Sequence, residues 1–329
     1  MRLNVTANIN EDLIRILACP ADHTALRIER DTLVCEHGHH YAVEGGVPVF
    51  TNAPRREPVP LNMGACPNYA KNKERGAAID PFVDDWIVNT NGNLYWRARR
   101  RLPRYPIPRW PFAQGNERTL VDIGCSWGRW SIAAAEARFR PIGVDVHIDA
   151  LDAAGRVSRQ LGSSADFVCC DAERLPLQDR SVDCVFSYSV LQHLDRAKVF
   201  IVLREIARVL KPGGVCWIQL PNKFGMLSLL QQLRRGFREA KPGTFEMRYW
   251  SRKSIREGLS EAGLDNVTIR ADGYFTQNPQ LSDIDLLSAM GKLIVLASCA
   301  SRRIADAIPA FARLADSLWI EAQAPNESH

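Results

Sequence analysis

The stretch from residue 119 to residue 145, TLVDIGCSWGRWSIAAAEARFRPIGVD, restricts the fold of this chain more than any other. Residues 119–123 form a short β-branched run, as a buried parallel strand requires. The run breaks at Gly124, and residues 129–138 resume with a helical apolar period. Between them Gly124, Ser126 and Gly128 put small residues at every second position. Backbone N–H groups and a helix N-terminus can then approach a ligand with no Cβ in the way. A second strand, residues 141–146, carries Asp145 near its end. An acid about twenty residues beyond such a loop is spaced to grip the hydroxyls of a ribose.

The pattern is Asp122-x-Gly124-x-Ser126-x-Gly128. It lacks the later glycine of G-x-G-x-x-G, which seats a pyrophosphate. An acid at its head suits a ligand with an ammonium group. The motif resembles the first motif, D-x-G-x-G-x-G, of class I S-adenosylmethionine-dependent methyltransferases, with Ser126 in place of the middle glycine. Cys170-Asp171-Ala172-Glu173 resembles the third motif of that family. Residues 183–187, followed by Val190-Leu191-Gln192-His193-Leu194, resemble the fourth motif and the helix after it. Lys211-Pro212-Gly213-Gly214 resembles the turn before the fifth strand. These matches cover about residues 117–222, and the ubiquinone/menaquinone-methyltransferase-like branch resembles them most.

Alternating elements between residues 117 and 222 imply an α/β fold with a doubly wound, mostly parallel sheet and ligands at the strands' C-terminal ends. We expect helices at 148–162 and 196–210, and strands at 166–171, 182–188 and 215–220. A helix at 251–263 with Ser251 at its N-cap follows, then a strand at 267–275. The resemblance implies a Rossmann-like sheet of seven strands, closed by an antiparallel strand at 317–324. Helical insertions are expected at 223–250 and 279–314. The nearly apolar segment 286–300 reads as a core helix, with a greasy substrate lining or a membrane-surface contact as the lesser alternatives.

Residues 10–50 form a unit of their own, holding four of the seven histidines beside Cys19 and Cys35. Cys19-Pro20, Cys35-x-x-x-His39, Tyr41 and Gly46-Val47-Pro48-Val49 resemble the small zinc-ribbon module that precedes some methyltransferase domains. Asp22, with His23 beside it, stands where that module carries a second cysteine. Cys19, Asp22 or His23, Cys35 and His39 could therefore close a structural zinc site, since tetrahedral zinc accepts all three ligand types. A ribbon that has lost its metal is the alternative. The expected division is a ribbon module over 1–55, a linker and helical cap over 56–116, and a catalytic domain over 117–329. Within the cap, the stretch from Trp96 to Trp110 packs six arginines among aromatic residues and prolines. An extended strap lying on the domain is favoured there over a phosphate-binding surface. By resemblance, residues 91–95 and the strap lid the cofactor.

The formal charge of +5 on 329 residues permits an acidic partner without requiring one. Nine scattered cysteines, several inside expected strands, point to reduced thiols and a cytoplasmic setting. No signal peptide is expected, and the longest apolar run, residues 293–300, is far too short to span a bilayer.

The resemblance implies S-adenosyl-L-methionine as cofactor. Asp122, Gly124, Cys125, Ser126 and Gly128 would hold its methionine end, Asp145 its ribose, and Asp171 with Ala172 its adenine. Val146 would pack on the purine, and Ser187 and Tyr188 would lie near the transferring methyl. A general base is needed only for a weakly acidic acceptor. His193 is the candidate, with a purely structural role as its alternative. A small or lipid-linked metabolite methylated at oxygen or carbon is the first expectation. An RNA base is the second, although residues 187–190 read Ser-Tyr-Ser-Val where many base methyltransferases carry N/D-P-P-Y/F. A non-catalytic cofactor-binding scaffold is the third.

Overall fold

The computed structural model describes residues 9–51, 79–276 and 280–326. Much of the expected linker, from residue 56 to 78, lies outside them. A short helix, Glu11–Ile16, is followed by strands β1 (Leu26–Glu29), β2 (Thr32–Cys35), β3 (His40–Glu44) and β4 (Val47–Val49). Helix Pro81–Asn91 and the 3-10 turn Asn93–Ala98 come next. Asp80 caps that helix and Pro81 opens it, a position where a missing N–H costs nothing. Gly92, next after Asn91, ends it in left-handed backbone.

The alternation then runs as read from the sequence. Strand β5 (Thr119–Ile123) leads to helix Arg129–Glu136, β6 (Arg140–Asp145) to helix Ile148–Gln160, and β7 (Asp166–Cys169) to β8 (Val182–Tyr188). Helix Arg196–Val209 and β9 (Leu210–Pro221) follow. Strand β9 starts five residues before the expected 215, because Leu210 already pairs with Val182 ahead of a register shift. Helices Met226–Arg234 and Arg252–Glu261, strand β10 (Asp265–Gly273), helix Ala289–Ala307 and β11 (Ser317–Gln323) complete the chain. Ser251 caps its helix in a reciprocal capping box with Ser254.

The sheet has eleven strands in the order β1-β2-β3-β4-β7-β6-β5-β8-β9-β11-β10, which corrects the expected seven. The last seven in that order belong to the doubly wound unit, and β11 runs antiparallel between β9 and β10 as expected. The surplus has a simple origin. Strand β7 would be an open edge, and β4 covers it in parallel through Val49 and Cys169, so the N-terminal meander extends the sheet. The Phe50 N–H adds a bond to the Cys169 carbonyl at 2.7 Å.

The expected strap packs as such. Trp110 enters an aromatic cluster with Phe112, Trp130, Phe139, Phe186 and Trp217, all within 6.3 Å between ring centroids. Arg99 and Arg100 pair with Asp85, and Arg104 with Asp283 and Asp285. These guanidiniums tie the strap to neighbouring segments.

Helix Ala289–Ala307 departs from the core reading. Its small residues Gly291, Ser298, Ser301 and Ala305 face inward, while Met290 and Leu293 are 64% and 60% exposed. Small side chains let the helix lie close to its support, and Ser298 Oγ there accepts the Tyr274 N–H at 2.9 Å. The large apolar residues are thereby turned outward. Among the described residues, no helix is long and apolar enough to cross a membrane.

Candidate functional site

The C-terminal tips of β5, β6, β7 and β8 open on one cavity of about 860 Å³, a size suited to a small-molecule ligand. Its floor is the loop after β5. Gly124 and Gly128 adopt φ of +75° and +81°, and Ser126 joins them at +50°. Two glycines and one small residue are what such a left-handed turn tolerates. A Cβ on Gly124 would come within 2.3 Å of Val190 Cγ2, so the loop also needs the missing atom for space.

Asp145 welds this loop to the next strand. Its Oδ2 accepts the Ser126 N–H at 3.0 Å and its Oδ1 the His147 N–H at 2.9 Å, and it lines the cavity. Val146 and Cys125 lie on the same wall, and burial pushes the Cys125 thiol up, so it stays protonated. Asp171 and Ala172 line the far end, where Asp171 Oδ1 accepts the Glu173 N–H at 2.9 Å. Val146, Asp171 and Ala172 thus line the same cavity as the loop.

Three expected residues, Asp122, Gly128 and Ser187, are not among the lining residues; Gly128 instead packs against Phe167 and Ala154. Asp122 is 2% exposed, and Ser131 Oγ donates to its Oδ2 at 2.7 Å. Burial pushes its carboxyl up to about 7. Asp122 therefore braces the first turn of helix Arg129–Glu136 from beneath. Ser187 is also buried, and its hydroxyl donates to the Ile123 carbonyl at 3.2 Å, stitching β8 to β5.

Tyr188 does line the cavity. Its hydroxyl donates to Asp272 Oδ2 at 3.3 Å, and Ser317 Oγ donates to the same oxygen at 2.6 Å. Burial raises the phenol, which keeps it protonated and in place. His193 lies on the same side, stacked on Phe245 with ring centroids 3.8 Å apart and planes within 2°. Its Nδ1 is 3.1 Å from the Phe245 carbonyl, which can only accept, so Nδ1 carries the proton. The lone pair is then on Nε2, 3.3 Å from the Gln192 amide nitrogen. Burial lowers the imidazole's pKa, so the ring is neutral near pH 7.

The segment carrying Phe245 is pinned by one side chain. Arg248, 4% exposed, donates to the carbonyls of Lys241, Thr244, Glu246 and His193 and pairs with Asp195. The opposite rim comes from helix Pro81–Asn91, whose Phe82, Asp85, Trp86, Asn89 and Thr90 line the cavity. Their three- and four-residue spacing was a readable signal for one helix face. This places the lid before the expected residues 91–95, since Asn91 and Tyr95 are buried at 2% and 1%. Arg156 Nε pairs with Asp80 Oδ2 at 2.7 Å, and Trp127 Nε1 donates to Thr90 Oγ1 at 3.1 Å, latching the lid to the loop. Glu44, Val49 and Thr51 of the N-terminal unit complete the wall. Arg129, the first residue after the loop, lines the cavity as well and was not singled out in the sequence.

A second cluster lies within the N-terminal meander. Ligand atoms of Cys19, Asp22, Cys35 and His39 all fall within 4.8 Å of one another. His39 Nδ1 is 3.4 Å from Cys19 Sγ, 3.3 Å from Cys35 Sγ and 3.1 Å from Asp22 Oδ2, and Cys35 Sγ is 3.5 Å from Asp22 Oδ2. Zinc bonds of about 2.0–2.3 Å in a tetrahedron leave edges of roughly 3.3–3.8 Å; three of the four separations fall in that range and the His39–Asp22 pair is slightly tighter, so the donor set suits that ion. The turn at His23, with φ of +59°, delivers Asp22 to the cluster and leaves His23 out of it. Tyr41 OH contacts Cys19 Sγ at 3.0 Å, and His37 Nδ1 reaches Asp22 Oδ2 at 3.1 Å, as a supporting shell would.

Residues 120–214 match the family profile described as a methyltransferase domain. The chain is 33% identical over 152 residues to the biotin biosynthesis bifunctional protein BioHC of Cellvibrio japonicus, covering 46% of this chain and 28% of that one. It is 28% identical over 165 residues to the malonyl-[acyl-carrier protein] O-methyltransferase of Dechloromonas aromatica, covering 50% and 58%. The chain thus spans less than two thirds of the length of these relatives. A solved S-adenosylmethionine-dependent methyltransferase from Methanosarcina mazei superimposes with a TM-score of 0.47 at 17% identity, over 67% of this chain and all of that one.

Proposed function

We propose that the chain, whose residues 120–214 match the methyltransferase-domain profile, is a class I S-adenosylmethionine-dependent methyltransferase that transfers the methyl group of this cofactor to a small, carrier-linked or lipid-linked acceptor, at oxygen or carbon. One observation carries the reading: the loop residues Gly124–Trp127, Asp145 and Asp171 line a single cavity at the sheet's C-terminal edge. The malonyl-[acyl-carrier protein] O-methyltransferases among the relatives favour oxygen as the receiving atom. The ion-paired strap, with Arg99, Arg100 and Arg104 engaged by aspartates, speaks against RNA phosphates as its partners. A cytoplasmic setting accords with the buried thiols of Cys125, Cys169, Cys170, Cys184 and Cys216.

S-adenosylmethionine brings a methyl already activated on a sulfonium, so the chain's task is alignment and the exclusion of water. Asp145 would hold the ribose hydroxyls from an orientation set by the Ser126 and His147 amides. Asp171 would accept from the adenine amino group, and the Ala172 backbone would bond the ring edge. Trp130 and Tyr188, with rings 4.9 Å apart, form an apolar wall on the side away from the adenine. His193 Nε2 would take the proton of a hydroxyl acceptor, whereas an ionised acceptor needs no base. We further propose that Cys19, Asp22, Cys35 and His39 hold a structural zinc ion.

Calorimetry with S-adenosylhomocysteine tests the cofactor assignment, and absence of binding at stoichiometric concentrations would sink it. Labelled methyl transfer to malonyl-thioester carriers, compared with free hydroxy acids and RNA, then sorts the acceptors. For a hydroxyl acceptor, His193→Gln is expected to lower kcat by about 100-fold or more. The sign of the pH effect follows from burial. Because the folded His193 pKa is lowered from 6.5, the neutral base persists through pH 7, and kcat/KM should fall only on the acid side of that value. Unchanged turnover in the glutamine variant would remove His193 from the chemistry.

A further inference from the structure

Arg129 is buried to 95%, yet its Nη1 has no hydrogen-bond partner in the structure. Leaving a guanidinium donor unsatisfied in the interior is costly unless something else arrives to bond it. The side chain lines the cavity directly after Gly128, at the first position of helix Arg129–Glu136. Its Cζ lies 5.7 Å from the Trp130 ring centroid and 5.8 Å from that of Tyr188, so two aromatic faces fix the plane of the fork. Two buried acids interact with its charge and both are engaged elsewhere: Asp122 is bonded to Ser131 and pushed up to about 7 by burial, and Asp283 is bonded by Tyr95 and Arg104. Part of the positive charge is therefore left for an occupant of the cavity.

Position narrows the choice of anion. Across the sheet the order is β7, β6, β5, β8, with Asp171 after β7, Asp145 on β6, Arg129 beyond β5 and Tyr188 on β8. Neighbouring strands are about 4.8 Å apart, so an elongated ligand whose purine lies at Asp171 brings its opposite end to Arg129. We propose that Arg129 is the receptor for the α-carboxylate at the methionine end of the cofactor, bonded through its planar fork with help from the helix N-terminus. This deepens the cofactor assignment above and rests on it.

A pair of ligands separates this role from a purely structural one. S-adenosylhomocysteine carries the carboxylate, and 5′-methylthioadenosine shares its adenosine and sulfur but lacks the amino-acid end. By calorimetry, Arg129→Met is expected to weaken S-adenosylhomocysteine about 10- to 100-fold and to change 5′-methylthioadenosine less than about threefold. Arg129→Lys, which keeps the charge but loses the fork, should fall between wild type and the methionine variant for the first ligand and match wild type for the second. Undiminished S-adenosylhomocysteine binding in the methionine variant would overturn the proposal. So would an equal loss of both ligands in the lysine variant, which keeps the protein answerable if the methionine variant folds poorly. A wild-type protein that binds neither nucleoside would instead refute the cofactor assignment itself.

Discussion

Gly124→Ala is expected to reduce S-adenosylhomocysteine affinity by about 100-fold or more and to lower the thermal midpoint measurably. Two separate costs act at this position. The backbone sits at φ +75°, where an L side chain loses about 1–2 kcal/mol. The new Cβ would stand 2.3 and 2.7 Å from the two Val190 methyls, an overpacking worth about 1–3 kcal/mol. Relief of the clash moves either the loop, which positions Ser126 against Asp145, or Val190, which enters the turn Leu191–His193. Both movements deform the cavity. Val190→Ala removes the two methyls but leaves Val190 Cβ at 3.0 Å and the backbone cost intact. The double variant should accordingly recover part of the affinity, a coupling that a double-mutant cycle resolves. Near wild-type binding by Gly124→Ala alone, or strict additivity with Val190→Ala, would contradict this account of the loop.

The second large effect concerns the N-terminal cluster. Purified chain should contain one zinc per molecule by elemental analysis, and Cys35→Ser should reduce that to less than about a tenth, since a lost thiolate removes one of only four ligands. Structural zinc in small modules contributes on the order of 10 kcal/mol to folding. Chelation should thus lower the melting temperature by about 10 °C or more, even when the loss is spread over a domain of this size. Cofactor affinity should fall with it, because Glu44, Val49 and Thr51 of the same unit form part of the cavity wall. Asp22→Cys, which restores the ligand that the sequence departs from, is expected to tighten the metal. Metal-free chain with an unchanged melting curve would show instead that strand pairing alone sustains the ribbon.

Much of the catalytic unit was legible from local signals. The glycine loop, Asp145 and the capping serine at 251 rest on residue type and short spacing, and Asp171 on the family resemblance; the loop, Asp145 and Asp171 reach one cavity and Ser251 caps its helix. Other features depended on what approached from afar. The segment 286–300 is apolar in composition, but its orientation was decided by the close fit of Gly291, Ser298 and Ser301, a property of the surface beneath and not of the segment. Asp122 and Ser187 carry the right residue types for a site, yet both are buried and bonded within the fold, Asp122 to Ser131 and Ser187 to the Ile123 carbonyl. Asp22 rather than His23 joins the cysteine cluster because of a single left-handed turn.

By itself the sequence determined the order of strands and helices in the doubly wound unit and the loop's conformation, because hydrophobic period and glycine placement act over a few residues. Tertiary structure alone decided that the ribbon extends the main sheet, that Phe82, Trp86 and Phe245 roof the cavity, and that Arg129 faces it with an unspent donor. These outcomes arise where residues tens to more than a hundred positions apart compete for the same space and hydrogen bonds, and no local pattern records which of them meet.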